Sequence, residues 1–180
     1  MKKLLLGAII GGLILFVWQT LSNTALNLHG SALQYTAKQD SILDYLSTQL
    51  PSGRYILPTV APGATMDDMA KLEEKAMDKP WAIISLQNAY HPDMVMSMVR
   101  TLLVDVMVVG MLCWVLLQIP NRNKTNIFII TISTGLLVFL NGLYTQYIWY
   151  QEPGINGHLI DALASWGLCG FWLSSWLSKS

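Results

Sequence analysis

Asp105, Asp161 and His158 stand inside stretches that are otherwise almost wholly apolar, with Asn141 inside a third such stretch and Arg100 at the edge of the second. On insertion scales an ionisable group near the centre of a membrane-spanning helix costs about 2.5–3.5 kcal/mol, so each one requires a partner, water or a ligand. Taken together, Asp105, Asn141, His158, Asp161 and Arg100 suit a polar pocket that binds a cation, a proton or a small polar solute. The competing reading gives the same groups to interhelical hydrogen bonds and one ion pair that fix helix register, a common arrangement in membrane bundles.

A second constellation is softer. His91, Met94 and Met98 would share one helical face, and imidazole with thioether ligands suits Cu(I), although methionine is equally a gap-filler at adaptable contacts. Cys113 and Cys169 fall in apolar runs and read as small apolar residues in helix interfaces, with a redox pair as the alternative. The sequence contains no P-loop, GxGxxG, CxxC, HExxH or GxSxG pattern. His158 near Asp161 is too little to name a reaction, so the expectation is a non-enzymatic protein without a cofactor.

The elements that must position these groups are membrane spans. Over 180 residues only 12% are charged, and the mean hydropathy is +0.42, which is too apolar for a soluble surface. Four runs approach the roughly 20 residues that cross a hydrocarbon core: Leu4–Leu21, Arg100–Ile119, Ile127–Ile148 and Leu159–Leu177. The first lacks a small-x-small cleavage site and reads as an uncleaved anchor. Lys2, Lys3, Arg122, Lys124 and Lys179 flank one end of the spans, whereas eight acids lie between residues 22 and 94. The distribution of bases places both termini in the cytoplasm and residues 22–94 outside it. Net charge is zero, which gives no support to nucleic-acid binding. Along the third span Thr131, Thr134, Asn141 and Thr145 follow helical spacing, and along the fourth so do His158, Asp161, Ser165 and Cys169. Gly7 and Gly11 form a GxxxG pair suited to close helix approach, within the chain before any other use.

The fold expected is a membrane all-α protein: a four-transmembrane-helix bundle with a small α+β extracytoplasmic insertion between helices 1 and 2. Its parts are residues 1–21 as the first helix, 22–94 as the insertion and 95–180 as helices 2–4. Within the insertion the pattern predicts a helix over 31–50, stopped by Pro51, a strand over 54–57, a helix capped by Thr65 through about residue 78, and a strand over 81–86.

The segments FVWQTLSNTALNLH (16–29), GRYILP (53–58), KPWA (79–82) and YIWYQEPGINGHLIDALASWGLCGFW (147–172) resemble a group of bacterial four-helix inner-membrane proteins of unknown function. The last segment is the most distinctive. Where the group has an aromatic after the position of Ser22, this chain has Asn23. The resemblance implies the membrane fold and location and carries no activity. Claudin-like proteins are similar in the order of spans and loops, but their paired loop cysteines are missing here. The leading functional expectation is an accessory or partner-binding subunit of an envelope assembly in the bacterial inner membrane, in contact with lipid and with partner membrane proteins or further copies of itself. The alternative is a small transporter or ion-binding protein with an outward-facing polar pocket.

Overall fold

A chain in hydrocarbon must satisfy every backbone polar group internally, and long apolar runs do so as helices. The structure, a computed structural model describing residues 1–30 and 32–178, is mostly helical. In chain order it comprises α1 (Lys2–Thr24), α2 (Gln39–Gln49), β1 (Gly53–Leu57), α3 (Met66–Ala76), β2 (Ala82–Leu86), α4 (Met94–Gln118) and α5 (Lys124–Val138). A π-helical stretch (Phe139–Tyr144), α6 (Thr145–Tyr150) and α7 (Ile155–Leu177) complete the order. Among the described residues three helices are long and apolar enough to cross a membrane: Lys2–Thr24, Met94–Gln118 and the continuous run Lys124–Tyr150. The fourth apolar stretch forms the 23-residue α7, but His158, Asp161, Ser165, Ser174 and Ser175 leave it less apolar than the other three.

The chain divides into two units, Met1–Gln34 with Asp93–Ser180, and Tyr35–Pro92. In the first, α1 packs against α4 and α7, and α7 packs against α5. Glycine makes the α1 contacts possible. A Cβ on Gly7 would stand 2.8 Å from Cys113 Sγ, one on Gly11 2.7 Å from Val109 Cγ1 and 3.1 Å from Cys169 Sγ, and one on Gly12 2.6 Å from Val106 Cα. The GxxxG pair is thus used inside the chain, with both cysteines free, buried and packed against it. Leu15, Val109, Leu112, Leu116, Ile127, Trp166, Leu173 and Leu177 complete the core around these cysteines. At one end Arg122 Nε donates to the Leu177 carbonyl (3.0 Å) and Trp176 Nε1 to the Lys3 carbonyl (3.1 Å), tying α7 to the α4–α5 turn and to the start of α1. A cation on the last carbonyls of a helix also complements its dipole. Lys179 lies outside the described residues.

The third apolar run, Lys124–Tyr150, differs from a uniform helix. Ile127, Thr131, Gly135 and Phe139 form its buried row, and Gly135 leaves room for the Trp166 ring of α7. The π-helical stretch then introduces one residue more per turn, which rotates the rest of the span by about 100° relative to an unbroken α-helix. Thr145 Oγ1 accordingly donates to Leu140 O, five residues back (2.9 Å). The stripe expected from spacing is broken for this reason: Thr131 is buried, while Asn141 and Thr145 are exposed.

The second unit has the order helix, strand, helix, strand. β1 and β2 pair antiparallel with Gly53 opposite Leu86 and Leu57 opposite Ala82. The helix expected over 31–50 is shorter, beginning at Gln39; its expected start at Ser31 lies outside the described residues. After Thr24 the chain turns instead of continuing, with Asn27 at φ 48° and Leu28 N donating to Ser22 O (3.2 Å). Among the described residues of this unit Leu86 is the one buried apolar side chain.

Thr65 and Asp68 form a reciprocal capping box at the start of α3. Hydrogen bonds from the Thr65 backbone and then from its hydroxyl hold the Asp68 carboxyl below its ordinary value of 3.8. A carboxyl whose folded pKa lies below its unfolded one stabilises the fold fully above the unfolded value, and that contribution disappears as pH falls through the folded value. Amide hydrogen exchange over residues 65–70 should therefore show protection that declines as pH is lowered below 3.8. Asp68→Asn should remove this dependence, and an unchanged pH profile in that variant would show that the cap does not act through the carboxylate.

Candidate functional site

The last two turns of α1 present Trp18, Gln19 and Ser22, and the first three turns of α7 present His158, Asp161 and Ser165. The turn after α1 folds back to add His29. Gly157 makes that return possible, because a Cβ there would lie 2.6 Å from the Leu28 carbonyl oxygen and 3.3 Å from His29 Nδ1. α7 itself starts at Gly154, whose φ of 91° suits glycine and few other residues.

Asp161 is the hub. Trp18 Nε1–H donates to its Oδ1 (3.0 Å), and His29 Nε2–H donates to its Oδ2 (2.7 Å). The His29 and Asp161 side chains are 16% and 19% exposed, which makes this pair mostly desolvated. Ser22 Oγ, fully buried, lies 3.4 Å from the same His29 nitrogen. The His158 ring stands beside that of His29, with centroids 4.6 Å apart and planes inclined by 43°. Ser165 Oγ donates to the Asp161 carbonyl (2.6 Å), one turn back along α7. Of these groups His29, His158, Asp161 and Ser165 border a cavity of about 320 Å³ whose other walls include Gln19, Asn23, Val138, Phe139 and Trp166. The π-helical stretch thus contributes to the cavity wall through Phe139.

Asp105 belongs to the α1–α4 contact. It is buried, accepts from Gln19 Nε2 through Oδ1 (3.2 Å), and leaves Oδ2 buried without a hydrogen-bond partner among the described residues. Gln19 therefore links the Asp105 carboxylate to the cavity bordered by Asp161. Of the five residues read from sequence, His158 and Asp161 line that cavity and Asp105 reaches it through Gln19. Asn141 and Arg100 are exposed and do not line it. Sequence reasoning passed over Trp18, Gln19, Ser22 and His29. The available signal was the spacing of Trp18 and Ser22, four apart on one face at the polar end of an apolar helix, followed by a histidine in a short turn.

Among the described residues one group of imidazoles and carboxylates has metal-binding proximity: His29, His158 and Asp161, each offering a ligand atom within 4.8 Å of the others. In the soft-ligand set His91, Met94 and Met98 are all exposed; His91 belongs to the Tyr35–Pro92 unit and the two methionines to the helical unit. Comparison of the chain with known protein families, with curated proteins and with solved structures finds no match.

Proposed function

We propose that this chain is a four-span inner-membrane protein, α7 being the fourth span, whose cavity opens on the extracytoplasmic side and binds a small cation. Both termini lie in the cytoplasm in this reading, and residues 22–94 lie outside. The observation that carries it is the Asp161 carboxylate held by Trp18 and His29 at the wall of a cavity of about 320 Å³, with the second imidazole of His158 alongside. An acid at membrane depth is costly unless it is paired or serves a ligand, and this one is paired and borders a cavity with room for one. The orientation is supported by the basic residues Lys2, Lys3, Arg122 and Lys124 at the far end of α1 and around the α4–α5 turn, together with exposed Tyr147 and Trp149 near the cavity end. The work is binding, without a catalytic group.

Thermal unfolding of the full chain in detergent, with sodium, potassium, ammonium, guanidinium and divalent cations added in turn, tests this reading. A ligand that binds only the folded state stabilises it by about 2.7 kcal/mol at one hundred times its Kd. At least one cation should raise the midpoint, and His158→Gln should reduce the increment. Identical midpoints across the whole panel would overturn the reading.

A second reading, an accessory subunit of an envelope assembly, is favoured by a different observation. The Tyr35–Pro92 unit carries an apolar groove of about 650 Å³ lined by Leu57, Pro58, Leu72 and Trp81, and it has little buried apolar surface of its own. A stoichiometric partner that co-purifies from native membranes and is lost with Trp81→Glu would support it.

A further inference from the structure

We infer that His29, His158 and Asp161 form a binding site for one divalent first-row transition metal ion. The inference rests on the cation-binding reading above and narrows it to a chemical class. One ring nitrogen from each histidine and one carboxylate oxygen lie within 4.8 Å of one another. Around an ion with bonds of about 2.0–2.2 Å, tetrahedral ligand atoms stand roughly 3.3 Å apart. The widest separation here therefore has to close by about 1.5 Å, a distance that rotation of an imidazole about its side-chain torsions covers.

The donor set selects the ion. Two imidazoles and one carboxylate suit Zn²⁺ and its neighbours, while Ca²⁺ and Mg²⁺ prefer all-oxygen ligands and Cu(I) prefers thiolates or thioethers. Three protein ligands leave a coordination position open, and the cavity beside them has room for water or a solute there. The surrounding bonds match a supported metal site. Trp18 Nε1–H occupies Asp161 Oδ1 and leaves Oδ2 directed at His29, the kind of outer hydrogen bond that orients a ligating carboxylate.

The alternative use of these residues, a simple His29–Asp161 ion pair, gives no part to His158, which has the Asp161 and Glu152 carboxylates as electrostatic neighbours. Its ring packs 4.6 Å from that of His29, and no hydrogen bond to a third residue accounts for its position among the described residues. A metal ion would take the place of the proton between His29 Nε2 and Asp161 Oδ2, releasing it to water, and would engage one lone pair of each imidazole. His29 reaches the site from a turn that closes against α7 only because residue 157 is glycine. The two histidines are far apart in the chain, so their meeting is a product of the fold.

The test uses the full chain in detergent micelles, stripped with a chelator and titrated with Zn²⁺ by calorimetry and with Co²⁺ by visible absorption. The expected result is one Zn²⁺ per chain retained through desalting, and Co²⁺ absorption of the intensity typical of a low-coordinate nitrogen and oxygen site. His158→Gln keeps the Trp18–Asp161–His29 bonds and should weaken Zn²⁺ binding by about tenfold or more. Trp18→Phe, which keeps all three ligands, should weaken it by a smaller factor. Failure of the native chain to bind either ion, or equal Zn²⁺ affinity in His158→Gln, would overturn the metal site. Stabilisation by guanidinium or ammonium without Zn²⁺ binding would overturn the metal site and leave the cation cavity standing; no stabilisation by any cation would remove both.

Discussion

Gly12→Leu is expected to abolish the packed helical unit, leaving no monodisperse protein after extraction in mild detergent. A Cβ at this position falls 2.6 Å from Val106 Cα and 2.7 Å from Val106 N, so the obstacle is backbone and no rotamer change relieves it. Overpacking a core where side chains can yield costs about 1–3 kcal/mol, and a displaced helix costs more. At Gly7 and Gly11 the nearest atoms are Cys113 Sγ and Val109 Cγ1, so Ala at those positions should be milder than Leu at position 12. Gly167 supplies the control. Nothing lies within 4 Å of a Cβ there, and Gly167→Ala should stabilise α7 by about 0.5–1 kcal/mol through helix propensity. Size-exclusion profiles and unfolding midpoints for the series read this out. A Gly12→Leu protein as stable as the native chain would show that α1 and α4 do not meet at Val106.

Asp161→Ala carries the second large effect. It removes the acceptor for both the Trp18 indole and the His29 imidazole, and an unsatisfied buried donor costs about 1–3 kcal/mol. Because the carboxylate is 19% exposed, water offsets part of this, and the expected loss is about 2–3 kcal/mol. A double-mutant cycle with Trp18→Phe should reveal coupling of about 0.5 kcal/mol or more, since the two residues share one bond. His158→Gln, measured beside it, should change stability by about 0.5 kcal/mol or less, as no hydrogen bond is lost. Additive effects of Asp161→Ala and Trp18→Phe would dismiss the carboxylate as the hub of this network.

Much of the helical framework was legible because it rests on local properties. Uninterrupted apolar runs fix where the long helices form, and their ends in the structure extend the sequence expectation by a few residues, as at Met94, where Asp93 caps α4 by accepting from Met96 N (2.9 Å). Thr65 as the cap of α3 was readable for the same reason, while the reciprocal bond from Asp68 came with the structure. The site was legible only by halves. Asp161 and His158 stand out as ionisable groups in an apolar run, whereas Trp18 reads as an interfacial anchor and His29 as a loop residue until α7 is laid against α1. Asn141 shows the converse. Its periodicity is correct for an α-helix, and the π-helical stretch in which it sits rotates it out of the row that Ile127, Thr131, Gly135 and Phe139 form. Such a widening has no marker as plain as proline in the sequence.

α1 and α7 are joined at both ends, through Trp176 to the Lys3 carbonyl and through Asp161 to Trp18. Translated into the order of synthesis, α1 is made long before the α7 that clasps it. Trp18, Ser22 and His29 have all been made well before Asp161 is added, since His29 and Asp161 are separated by 132 positions. A nascent chain halted before α7 lacks His158 and Asp161 and so lacks this site. α7 thus packs against a polar face of α1 that has already been made, and its acid gains its partners in the same step.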